Sequence, residues 1–185
     1  MSMIIKKIMS LALVTSLVLT ACNTATPERY FDVAVLNSNM LNGISGDGSL
    51  RDLTSPSAKL KEGTKDQTVI MTRKEMLDNK ILYVEQSIKK LNDLQETPAT
   101  KEMIQTSKAL HAYTLNVYKT DYMELAKMYD GGAAEDQIKA KELAIHDKYD
   151  AKYEELFDKL IELGKAYAEK HDIKVNWNLG SSPAN

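Results

Sequence analysis

The chain has 185 residues, with 24 Lys and Arg against 26 Asp and Glu, and a single cysteine. A formal net charge of −2 leaves no basic surplus to neutralise a phosphate backbone, which argues against a nucleic-acid partner. One cysteine excludes an internal disulfide, so stability must come from packing.

The first 21 residues differ from those that follow. Lys6 and Lys7 form a short positive start, and Ile8 to Leu19 is almost wholly apolar. That run of about a dozen residues is too short to span a bilayer, which takes ~20. A basic start, a short apolar stretch and small residues at its end describe a cleaved secretory signal. It ends in Leu19-Thr20-Ala21-Cys22, which resembles the lipobox of bacterial lipoproteins. The resemblance covers only this N-terminal end and implies cleavage between Ala21 and Cys22. It further implies a covalent diacylglycerol and an N-acyl chain on Cys22. Two or three acyl chains suffice for stable anchoring where one is marginal. Asn23 follows the cysteine where an aspartate would favour inner-membrane retention, so the resemblance implies the outer membrane if the source has two membranes. Removing Lys6 and Lys7 with the signal takes the formal charge from −2 to −4 and leaves a chain suited to one domain.

Residues 22–28 form a short lipidated tether, expected to hold the fold close to the headgroups, and Pro27 suits a helix start. A first helix is predicted over Tyr30 to Ile44, on Val33, Leu36, Met40 and Ile44. Ser45 to Gln67 is rich in Gly, Ser, Thr, Asp and Lys and is expected to be one long loop, the first place to look for a contact surface. Thr72-Arg73-Lys74-Glu75 is a capping box that opens a second helix reaching Glu96, with Leu77, Ile81, Val84, Ile88 and Leu91 on one stripe. Thr97-Pro98 is expected to start a third helix that ends at Asp130-Gly131-Gly132. Asp121 falls on its apolar line, as a buried partner of a tyrosine or lysine or because the helix turns away there. A fourth helix runs from Glu135 to about His171, ~50 Å long, with Gly164 a site of bending. Ile173, Val175 and Trp177 should fold back on the helices, and residues 179–185 form a tail expected to be disordered. The expected fold is all-α: an antiparallel up-down-up-down four-helix bundle over residues 29–178.

Catalytic motifs are missing from the sequence. None of His111, His146 and His171 has Glu three residues before it, as di-iron bundles require. Gly43, Gly46 and Gly48 lack the ending of a phosphate loop, and Gly46-Asp47-Gly48-Ser49 has too few acids for calcium. No catalytic residue, metal site or cofactor other than the lipid is therefore predicted. The leading expectation is a non-catalytic interaction or structural module of the cell envelope, tethered to a membrane and meeting an envelope protein. The alternative is a small-ligand or metal binder using His111, His146, Tyr118 and Tyr122 between helices. Against it, tyrosine commonly packs its ring in a core and sends its hydroxyl to the rim.

Overall fold

The computed structural model describes residues 25–41, 43–44 and 48–177, with the backbone alone at 48–50. The signal segment, Ala21, Cys22, Asn23, the Gly46-Asp47 pair and the 179–185 tail lie outside the described residues.

The fold is mostly helical, as expected: α1 (Pro27–Ala34), α2 (Gly48–Thr54), α3 (Arg73–Asn92), α4 (Lys101–Val117), α5 (Met123–Asp130) and α6 (Glu135–Lys170). A π-helical turn, Tyr118–Tyr122, joins α4 to α5 in one continuous rod. This rod lies antiparallel to α3, since Lys119 meets Glu85 at one level while Asp130 meets Arg73 at another. It is antiparallel to α6 as well, through Lys159 with Glu102 and Lys141 with Asp121.

The α3 start bears out the capping box: Glu75 N donates to Thr72 Oγ1 at 3.1 Å and Thr72 N to Glu75 Oε2 at 3.0 Å. Two further first-turn amides, Arg73 N and Lys74 N, donate to the two oxygens of Asp130 at 2.9 and 3.0 Å. A carboxylate there also suits the positive end of the helix dipole. Helix α3 stops at Asn92, and the next helix begins at Lys101, later than the Thr97-Pro98 start expected. The reason is local: Thr100 Oγ1 accepts the Thr97 amide at 3.0 Å and holds residues 97–100 as a turn.

The first predicted helix needs correcting. Thr26 caps α1, Pro27 opens it, and it ends at Ala34, followed by a 3₁₀ segment, Leu36–Leu41. Both the amide and the hydroxyl of Ser38 take the Val35 carbonyl, at 3.0 and 2.6 Å, which tightens the chain to a three-residue step. This segment's polar backbone is met by tyrosines: Tyr153 Oη donates to Leu41 O at 2.9 Å, Tyr122 Oη to Ile44 O at 3.4 Å and Tyr83 Oη to Asn37 O at 3.5 Å. The tyrosine hydroxyls thus satisfy carbonyls that a regular helix would have satisfied itself.

The stretch 45–67 is not one long loop. It holds α2 and the first strand of an antiparallel hairpin, β1 (Ala58–Leu60) with β2 (Thr68–Ile70). Gly63 sits in the connecting loop at φ +77°, a left-handed conformation that glycine adopts without steric cost. Helix α6 continues unbroken through Gly164. That glycine allows close approach: a Cβ there would lie 2.9 Å from Val35 Cγ1. The extended tail folds back as expected, with Trp177 edge-on to Phe31 at 5.8 Å between ring centroids.

Candidate functional site

The π-turn is the most irregular helical segment, and turns of this kind are frequent at functional sites. Thr120 Oγ1 bonds Asn116 O at 2.8 Å, competing for a carbonyl of the helical ladder. The wider turn shifts the buried face: Val117 is buried before it, Tyr118 and Tyr122 at its two ends, and Leu125 and Ala126 after it. Tyr118 and Tyr122 meet edge-to-face at 5.7 Å between centroids.

Asp121 consequently points at α6. It accepts from Lys141 at 2.7 Å, from Lys148 at 2.9 Å and from the Tyr149 hydroxyl, so the acid is indeed the partner of a tyrosine and lysines. Lys141 also donates to Glu124 at 2.6 Å. The hydrogen bonds from Lys141, Tyr149 and Lys148 hold the Asp121 carboxyl far below the usual carboxylate range. Three donors from α6 thus converge on its two oxygens. The geometry suits a lock between the rod and α6 rather than proton transfer.

Beside the turn on the α3 side lies an open cleft of about 230 Å³, lined by Met40, Asn79, Lys80, Tyr83, Val84 and Tyr118. Lys80 Nζ pairs with Asp52 at 2.7 Å. Burial opposes the lysine charge, but Tyr118 and Asp52 outweigh it and raise its pKa.

The predicted site residues divide in two. Tyr118 and Tyr122 come together at the turn. Each of the two candidate histidines bonds within its own helix. His111 is 0 % exposed and its Nδ1 lies 2.8 Å from Ser107 O; a carbonyl only accepts, so Nδ1 carries the proton. Its Nε2 is buried with no hydrogen-bond partner among the described residues, and burial pushes its pKa down. His146 Nδ1 is 2.8 Å from Asp150 Oδ2. Among the described residues no three His, Cys, Asp or Glu side chains gather as metal ligands.

Sequence reasoning missed the hairpin. All six strand residues are exposed, Leu60 at 61 % and Ile70 at 64 %. The register pairs Ala58 with Ile70 and Leu60 with Thr68, which places these four side chains on one face. The opposite face carries Lys59, which pairs with Glu75 at the start of α3. Bonds from Lys61 N to Gln67 O and Met71 N to Ser57 O fix the ladder. In that pattern the backbone groups of Ala58, Leu60, Thr68 and Ile70 point outward along the two edges. The signal that could have found the hairpin is the β-branched run Thr68-Val69-Ile70 after Gly63.

Compared with known protein families, curated proteins and solved structures, the chain matches none. Among the described residues no helix is long and apolar enough to cross a membrane.

Proposed function

We propose that the chain is a lipid-anchored, non-catalytic interaction module of the cell envelope, attached through Cys22 and meeting its partner through the hairpin at the far end of the fold. In this reading residues 27–54 form the first arm of an up-down-up-down bundle whose other arms are α3, the α4–α5 rod and α6. The observation that carries it is polarity along the long axis. At one end Tyr30 Oη donates to Gln95 O at 2.7 Å and Phe31 packs on Trp177, so Ala25 lies among the α3–α4 and α6 termini. Cys22 is three residues earlier, within ~10 Å of chain. At the other end stand the hairpin, the start of α3 and Asp130. Between the two ends runs the Lys101–Asp130 rod, ~45 Å long at 1.5 Å per residue. An anchor at one end and an exposed apolar hairpin at the other suit a module that faces away from its bilayer, towards an outer-membrane-associated or other envelope protein.

Site-specific photocrosslinking in intact cells tests the reading. A photoreactive residue at Ile70 should give a discrete protein adduct in the envelope fraction, and one at the exposed Glu162 of α6 should not. Equal labelling at both positions, or none at Ile70, would contradict it.

The ligand-binding alternative finds its support in the cleft beside Lys80 and Tyr118, an amphipathic recess with one cation. A small molecule or metal retained in native mass spectra of protein purified from its host would favour that alternative, with His111 and His146 then tested by substitution.

A further inference from the structure

The partner class at the hairpin follows from the chemistry of its two edges. Gln67 to Thr72 is six residues without charge, glycine or proline, and Thr68, Val69, Ile70 and Thr72 are β-branched. Such a run favours extended pairing. Exposed edges are usually guarded by charge, especially lysine. The β1 edge has that guard, in Lys59 and Lys61, but the β2 edge has none. The amides and carbonyls of Thr68 and Ile70 point outward, and both residues are exposed.

We infer that the β2 edge pairs with the β2 edge of a second copy of this chain, joining two hairpins into a four-stranded antiparallel sheet across a two-fold axis. This rests on the proposed reading of the hairpin as the contact surface and names its occupant. Antiparallel pairing of one strand with itself is self-complementary under a two-fold axis. Centred on Val69, it sets Thr68 opposite the second copy's Ile70, so that each copy's outward donors meet outward acceptors. No charges face each other within the paired strands. The same operation on β1 would set Lys59 against Lys59, which like-charge repulsion disfavours. A two-stranded hairpin is marginal by itself, whereas four strands with a shared apolar face support one another. That face would comprise Ala58, Leu60, Thr68 and Ile70 of both copies.

The test uses the mature full-length chain in detergent, followed by sedimentation velocity over a hundredfold concentration range. The expected result is a reversible monomer–dimer equilibrium. Ile70→Pro removes an outward amide that the hairpin's own ladder does not use, and should weaken dimerisation at least tenfold. Thr68→Lys keeps every backbone donor and puts like charges of the two copies diagonally across the pair on one face, so it should weaken the dimer too, even if the proline variant is poorly folded. Oxidation of Val69→Cys should trap a covalent dimer; Lys59→Cys should not. A chain monomeric throughout, or a dimer indifferent to both edge variants, would overturn the inference. If the chain is monomeric and Ile70 still crosslinks to another envelope protein, self-pairing fails while the interaction-module reading stands.

Discussion

His111 offers the most quantitative test of the packing described above. The side chain is fully buried, donates through Nδ1 to Ser107 O, and has its pKa lowered by burial. The folded state therefore holds it neutral, while the unfolded chain takes up a proton near the ordinary value of 6.5. Because unfolding binds the proton, stability is full above 6.5 and falls as pH drops below it, until the folded-state pKa is reached. The loss approaches ~1.4 kcal/mol per pH unit in that window. Between pH 7.5 and 5.5 the cost is at most about 1.4 kcal/mol, a ceiling equivalent to a fall of roughly 3–6 °C in Tm for a domain of this size. Thermal unfolding followed by circular dichroism at both pH values measures it. His111→Phe should lower stability at neutral pH, because Ser107 O loses its donor, but should flatten the slope between the two pH values. An unchanged slope in the variant would refute the assignment of the acid sensitivity to this buried ring.

Three further outcomes follow from contacts elsewhere. Asp130→Ala removes the acceptor of two α3 amides and an Arg73 partner, and should cost about 2 kcal/mol, with Asp130→Asn losing roughly half as much; urea unfolding discriminates them. Asp121→Asn weakens the bridge to Lys141, Lys148 and Tyr149. Since the carboxyl is held below its ordinary 3.8, its contribution is present above that pH and lost below it. The variant should accordingly be less stable at pH 6, with the gap to the parent narrowing steadily as pH falls below the ordinary value of 3.8, as acid titration of the far-ultraviolet signal would show. Gly164→Ala drives a methyl against Val35 and should cost about 1–3 kcal/mol, part of which Val35→Ala in the same chain should restore in a double-mutant cycle.

The long helices were legible because their signals are local and periodic. The Thr72–Glu75 box and the Leu77–Leu91 stripe specify α3 within one segment, and the same holds for α6. What escaped depends on partners distant in sequence or on a single inserted residue. Asp130 caps α3 across more than fifty residues, and no pattern within either helix announces it. The π-turn leaves only one trace, an acid on an apolar line at Asp121: the acid does find lysines and a tyrosine, but it is half-buried, and the helix widens there instead of turning away. The N-terminal apolar spacing suggested one helix, but Ser38 took the Val35 carbonyl and the chain tightened instead. The hairpin went unseen because its strands are only three residues long and neither face is buried: the alternation Ala58-Lys59-Leu60-Lys61 is too short to stand out, and Thr68-Val69-Ile70 shows none. For the candidate residues, the sequence could indicate that His111, Tyr118 and Tyr122 lie between helices, but not that the imidazole would be sealed while Tyr118 borders a cleft.

The central claim is that Cys22 becomes the lipid-bearing first residue of the mature chain and that the helical domain works from that tether. Intact-mass and peptide mass spectrometry of the protein extracted from host membranes tests it most directly. The account predicts an N-terminal Cys22 carrying diacylglycerol and an N-acyl group, with Cys22→Ala leaving the membrane fraction. An unacylated Cys22, or native protein recovered mainly without membranes, would contradict it.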